Sequence, residues 1–142
     1  VSPAQPALVL DASLTLSWAL PDEASPYGDR VLDTVAASGA LVPGLWAHEI
    51  ANGLLMAQKR GRLASGQRLA FVEQLLNLAI KLEFPSARTV LDSQAGLAER
   101  FDLTAYDAAY LDLALRHGLP LATQDKAMKL AAIKAGVTIV PG

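Results

Sequence analysis

The segment A7-L-V-L-D-A-S13 carries four apolar residues straight into an aspartate, with a serine two places further on. A short continuous apolar run of this kind reads as a strand buried on both faces, over residues 7–10. Asp11 at its tip has two readings. It can cap the helix that follows, because an aspartate oxygen accepts a backbone N–H of the first turn. It can also be the first residue of a site, because parallel sheets present their ligands beyond the carboxyl ends of the strands.

Outward from that strand, apolar runs alternate with helical patterns. S13-L-T-L-S-W-A-L20 is helical until Pro21, and 24–38 is a second helix with Val31, Leu32 and Val35 on one side. G39-A-L-V-P-G44 gives a second strand, and 45–60 a long helix stopped by Gly61. Another helix is expected over 65–82, E83-F-P-S86 reads as a short strand or extended linker, and 86–101 is helical again. A helix from Thr104 ends at His117 and Gly118, where a glycine C-cap and a cationic last turn suit the helix dipole. L119-P-L-A-T123 is a strand, 125–136 a helix, and V137-T-I-V140 a last strand. The alternation predicts an α/β fold with a parallel sheet covered on both faces, and one domain spanning 1–142.

Composition agrees. The chain is 142 residues long, 52% hydrophobic and 18% charged, enough to build a core of ordinary globular size. No apolar run approaches the ~20 residues of a membrane span. The opening V1-S-P-A-Q-P-A-L-V9 has no basic segment ahead of a hydrophobic one, so no signal peptide is expected. With no cysteine there is no disulfide framework and no thiolate metal site, which fits a cytoplasmic protein. Twelve Lys and Arg against 14 Asp and Glu leave a net charge of −2, so overall charge does not mark a nucleic-acid binder. Basic charge is nevertheless concentrated in Q58-K-R-G-R-L-A-S-G-Q-R68, where Lys59, Arg60, Arg62 and Arg68 stand without an acid. That run is either a solvated helix end or a phosphate-binding patch.

Acids recur where the strands end. The first strand delivers Asp11 and Ser13, the second leads into a helix carrying Glu49, and the third ends in Thr123 and Asp125. Asp107 lies in the first turn of the preceding helix, three residues after Thr104 in a capping-box-like arrangement. Glu49 is the hardest to assign to solvent: it lies about 100° from the middle of the Trp46, Ile50, Leu54, Ala57 stripe at ~3.6 residues per turn. Each acid alone reads as a helix-start residue. Together, at one sheet edge, they would repel one another unless a cation stood between them. With oxygen as the only ligand type, Mg²⁺ or Mn²⁺ is favoured, as one or two ions. Such ions lower the pKa of bound water and neutralise charge on phosphate oxygens.

V9-L-D-A-S-L-T-L-S-W18, W46-A-H-E-I-A-N-G-L54, T104-A-Y-D-A-A-Y-L-D-L-A-L115 and L121-A-T-Q-D-K-A-M-K-L-A-A132, in this order, resemble the PIN-domain ribonucleases. The resemblance is closest to the toxins of VapBC-type toxin–antitoxin modules, and it covers essentially the whole chain. It implies a three-layer α/β/α fold with a mainly parallel sheet and a metal-dependent endoribonuclease leaving 5′-phosphate and 3′-hydroxyl ends. Carried over, the acidic quartet is Asp11, Glu49, Asp107 and Asp125. Asp11 and Asp107 would be the principal metal ligands, and Asp125 and Glu49 would complete the site directly or through water. Ser13 and Thr123 match hydroxyls that orient the acids, and Asp112 matches a further acidic position. Asp112 lies about 140° round the helix from Asp107, which makes it a supporting or structural residue. The resemblance further implies an RNA substrate, a homodimer, and an antitoxin whose C-terminal segment covers the cleft.

Other residues have plainer readings. His48 is expected on the surface, Trp18 and Trp46 in the core or an interface, and Tyr106 and Tyr110 in packing, although either could stack a base. There is no Gly-rich phosphate loop. Two other classes remain in view, a non-catalytic PIN-like scaffold and a receiver-like signalling domain with an acidic pocket. The receiver reading is the poorer fit, because the first strand supplies one acid and L41-V-P-G44 supplies none.

Overall fold

A computed structural model describes residues 5–141. Residues 1–4 and 142, hence the start of the stretch read for a leader and both ends of the expected domain, lie outside the described residues.

Among the described residues, four strands form one sheet, β1 (Leu8–Leu10), β2 (Ala40–Pro43), β3 (Ile80–Glu83) and β4 (Leu121–Ala122), in the order β3-β2-β1-β4. Every pairing is parallel, with Val9 opposite both Leu41 and Leu121. The helices are α1 (Ala12–Ser17), α2 (Pro26–Ser38), α3 (Leu45–Lys59), α4 (Ser65–Leu76), α5 (Ala95–Phe101), α6 (Ala105–His117) and α7 (Lys126–Ala135). They cover the sheet to give the three-layer α/β/α arrangement. Among the described residues, no helix is long and apolar enough to cross a membrane.

The central strands are buried because each is apolar on both faces: Leu8, Val9, Leu10, Ala40, Leu41 and Val42 are all buried. Each large aliphatic residue taken fully from water contributes about 1.5–3 kcal/mol. α6 packs on β1, β2 and β4 through a run of buried residues from Ala108 to Ala114 that leaves no polar stripe. Helix ends follow local chemistry. Ser25 accepts from Gly28 N–H to start α2 just before Pro26, Thr104 accepts from Asp107 N–H to start α6, and Gly118 ends α6 in the left-handed region.

Three expectations need correction. The helix from Ser65 ends at Leu76 rather than running to 82, and Ile80–Glu83 is the edge strand β3. The open side of β2 decides this, since Ala40 to Pro43 pair residue for residue with Ile80 to Glu83, so tertiary pairing overrides a local pattern that is also compatible with helix. The extended E83-F-P-S86 therefore contributes only Glu83 to the sheet. V137-T-I-V140 is no full strand: Ile139 makes one isolated parallel bridge to Leu121. Residues 86–101 are helical as expected, but the stretch from Thr89 to Gln94 is a π-helical turn that passes into α5.

Candidate active site

Parallel strands put all their carboxyl ends on one edge, and three of the four acids follow from that. β1 ends directly into Asp11, β2 leads through Gly44 into α3 and Glu49, and β4 ends at Thr123 two residues before Asp125. Asp107 reaches the same region from the first turn of α6.

Asp11 is only 5% exposed, and its two oxygens have different tasks. Oδ1 accepts Leu14 N–H at 2.8 Å, capping α1, and Oδ2 accepts a short hydrogen bond from the Thr123 hydroxyl. Ser13 Oγ lies 3.3 Å from both oxygens. The carboxylate that caps α1 also stands at the carboxyl edge of the sheet, so the two readings of Asp11 do not compete. Its own carbonyl accepts from Thr15 Oγ1, which in turn accepts from the Trp46 indole at 3.2 Å. Asp125 repeats the pattern: Oδ1 caps α7 by accepting Met128 N–H at 3.1 Å, while its backbone N–H donates to Thr123 Oγ1. Thr123, fully buried, therefore joins the first and last acids through one hydroxyl.

Glu49 and Asp107 are half-buried on facing helices. Glu49 Oε1 accepts from the Tyr110 hydroxyl at 2.6 Å. Burial pushes the carboxyl of Asp11 up to about 6, helped by the charge of Asp125 and opposed by hydrogen bonds from Thr123, Leu14 and Ser13. Burial also raises Asp107, with Asp125 adding to the effect, and raises Glu49, with Asp107 adding and the Tyr110 hydrogen bond opposing. Tyr110 is raised by burial, by its hydrogen bond to Glu49 and by the neighbouring carboxylates, so its phenol stays protonated as a donor.

These couplings link Asp11 to Asp125, Asp125 to Asp107, and Asp107 to Glu49. The charges acting on Asp11, Glu49 and Asp107 are all carboxylates. Oxygen donors of like charge, with no ion pair to any of the four acids among the described residues, have the chemistry that suits a hard divalent cation. The acids are near enough to feel one another without forming a cage: among the described residues no three acids or histidines are drawn together closely enough to hold an ion.

Asp112 sits elsewhere. It is buried, accepts from Gln94 Nε2 at 3.1 Å and Arg116 Nε at 2.9 Å, and belongs to a network in which Arg116 and His117 also pair with Glu83 of β3. That network ties α6 to the sheet edge and the π-helical turn, so the structure gives Asp112 a scaffolding contact rather than one with the quartet. Asp112→Ala is expected to destabilise the fold by about 1–3 kcal/mol, because Arg116 and Gln94 lose an acceptor. Activity per folded molecule should be unchanged, and thermal unfolding beside an activity assay would separate the two effects.

The basic run is also divided. Arg62 pairs with Asp22 at 2.9 Å and Glu23 at 2.7 Å, and Arg68 Nε donates to Gln58. Lys59 and Arg60, exposed at the end of α3, make no ion pair among the described residues. His48 is exposed as expected, and Trp46 is in the core. Tyr106 is 66% exposed rather than packed. Tyr110 is packed, but its hydroxyl contact with an acid was missed. Its one-turn spacing from Asp107 was the available signal, and nothing local pointed to Glu49 as the partner.

The fold is an all-parallel α/β domain with Asp11, Glu49 and Asp125 following strands at the carboxyl edge of its sheet and Asp107 in the first turn of α6. The PIN-domain family profile matches residues 8–134. Ribonuclease VapC3 of Pyrobaculum aerophilum is 33% identical over 119 residues, covering 84% of this chain and 89% of that protein. The chain belongs to the PIN-domain family. In fold it is similar to the crystal structure of PAE2754 from Pyrobaculum aerophilum, with a TM-score of 0.67 at 23% identity over 89% of this chain and 86% of that one. It is also similar to FitAcB from Neisseria gonorrhoeae, with a TM-score of 0.61 at 16% identity over 94% and 96% of the two chains.

Proposed function

We propose that this chain is a metal-dependent endoribonuclease, the toxin of a toxin–antitoxin pair, with residues 1–142 acting as one nuclease domain. The observation that carries the reading is the match of residues 8–134 to the PIN-domain family in a chain 33% identical to a ribonuclease, with Asp11, Glu49, Asp107 and Asp125 carried by the strand ends and helix starts of that fold. In this reading Asp11 and Asp107 are the principal ligands of Mg²⁺ or Mn²⁺, with Asp125 and Glu49 completing the set. One or two such ions, when bound, would supply a nucleophile at neutral pH and neutralise charge on the phosphate. The chain's own part is to hold the acids still. Thr123 and Ser13 keep Asp11 oriented, Thr123 places the backbone before Asp125, and Thr104 starts the helix that presents Asp107. The RNA substrate implies a cytoplasmic setting. An acidic cleft suits a basic covering segment from an antitoxin, and the family resemblance supports a homodimer.

Purified protein freed of any partner is expected to cut RNA with Mg²⁺ or Mn²⁺, to stop in EDTA, and to recover when Mn²⁺ is restored. RNA left intact with both ions would overturn the nuclease reading, and undiminished cleavage in EDTA would overturn the metal.

For RNA contacts, Lys59 and Arg60 are preferred over Arg62, whose guanidinium already faces two carboxylates. Lys59→Ala and Arg60→Ala should each weaken RNA binding and flatten the slope of log affinity against log salt by about 1. Arg62→Ala should leave the slope unchanged. Filter binding across a salt series, in EDTA, checks both statements.

A further inference from the structure

Among the described residues, Tyr110 is the one side chain that hydrogen-bonds Glu49, and it lies on a different helix. We propose that Tyr110 is a positioning residue for Glu49, its hydroxyl fixing one carboxylate oxygen so that the other is left for a cation. The proposal rests on the metal-dependent reading above and deepens it.

Packing does not account for the hydroxyl. Tyr110 is 2% exposed and belongs to the hydrophobic core, where phenylalanine would fill nearly the same volume without bringing a polar atom that needs a partner. That partner is an acid of the cleft, 2.6 Å away. Glu49 is also the member of the quartet most in need of a restraint. Asp11 is held by Leu14, Thr123 and Ser13, and Asp125 by the first turn of its own helix. Glu49 has the longest side chain of the four, with rotamer freedom the aspartates lack. A tyrosine ring, with two torsions and a packed body, is a stiff anchor for it.

The placement has a second consequence. Tyr110 follows Asp107 by three residues on α6, so the two share a helix face one turn apart. Its bond to Glu49 therefore holds the α3 acid on the side of the α6 acid, and the charge of Asp107 helps raise the Glu49 carboxyl. Partners of metal-binding carboxylates set ligand orientation in this way, and their loss costs about 10–100-fold in metal affinity or activity.

The test is Mn²⁺ binding to the RNA-free protein, followed by the electron paramagnetic resonance of free Mn²⁺, beside steady-state cleavage kinetics and thermal unfolding. Tyr110→Phe is expected to weaken Mn²⁺ binding about 10-fold and to lower kcat similarly, with KM for RNA unchanged. In a Glu49→Gln background the same substitution should add nothing. Affinity within about twofold of the parent, or a full extra loss on top of Glu49→Gln, would overturn the proposal and leave Tyr110 a structural tie between two helices. Glu49→Asp keeps the charge but withdraws it from the phenol, so full Mn²⁺ affinity in that variant would also overturn it, whether or not Tyr110→Phe folds. A parent protein that neither binds Mn²⁺ nor cuts RNA would instead bring down the functional reading, and the proposal with it.

Discussion

Asp11→Asn is expected to slow RNA cleavage by about 10²–10³-fold while making the metal-free protein more stable. The loss follows from removing a charge that the proposed ion needs. Several kcal/mol of transition-state stabilisation correspond to a rate lower by about 10²–10³-fold. The gain follows from burial. Folding raises the Asp11 carboxyl from 3.8 to about 6, so the native state holds this proton more tightly than the unfolded chain does. Its contribution to stability is fully present below about pH 4 and is lost as the pH rises through about 6. At pH 7.5 the ionised, metal-free form carries a penalty on the order of 3 kcal/mol. Asparagine is neutral at every pH, so it escapes that penalty. Part of the gain is forfeited because its single acceptor oxygen cannot satisfy both Leu14 N–H and the Thr123 hydroxyl.

The expected Tm of the variant at pH 7.5 in EDTA is higher than the parent's, by roughly 5 °C for a domain of this size. The two should converge near pH 4, where the parent's Asp11 is already protonated. Mn²⁺ should raise the parent's Tm more than the variant's. Parental cleavage rates in Asp11→Asn would remove Asp11 from the site. A lower Tm at pH 7.5 would mean that cap and hydroxyl contacts outweigh the buried charge.

Thr123→Val is the second large effect, with the opposite sign on stability. The hydroxyl donates to Asp11 and accepts from Asp125 N–H inside the core, and valine keeps the shape while removing both contacts. Leaving a buried carboxylate without its donor costs about 1–3 kcal/mol. Because that bond also holds the Asp11 carboxyl down, its loss should move the acid limb of the activity profile to higher pH. Cleavage should fall about 10–100-fold, and Thr123→Ser should restore most of it. A Thr123→Val protein with a lower Tm but full kcat and an unmoved profile would reduce Thr123 to a structural residue.

Much of this site is legible along the chain because its chemistry is local. A strand buried on both faces is a continuous apolar run, so β1 announces itself, and the residue after it must stand at the carboxyl edge of a parallel sheet. The same logic finds Asp125 after β4 and Glu49 after β2. It also finds the caps, since an aspartate or threonine ahead of a helix needs only its next three residues to act. Where the outcome depends on a distant neighbour, the reading stops. Ile80–Glu83 looked helical because the pattern of the preceding helix continues into it, and only the unfilled edge of β2 makes it a strand.

Arg62 and Asp112 each keep two readings along the chain for the same reason. A basic run reads as a phosphate patch until the loop bearing Asp22 and Glu23 folds against it. An acid five residues past Asp107 reads as supporting or structural, and the structure shows Arg116 and Gln94 holding it. Alternating apolar runs, strand-end acids and capping residues depend on contacts within a few residues, and local sequence determines them. The bond from Tyr110 to Glu49 spans 61 residues, and the bond from Thr123 to Asp11 spans 112. Such bonds join side chains that no local propensity brings together. Only closing the sheet and packing α6 across it sets their distance, and with it the hydrogen bonds that tie Asp11 to Thr123 and Glu49 to Tyr110.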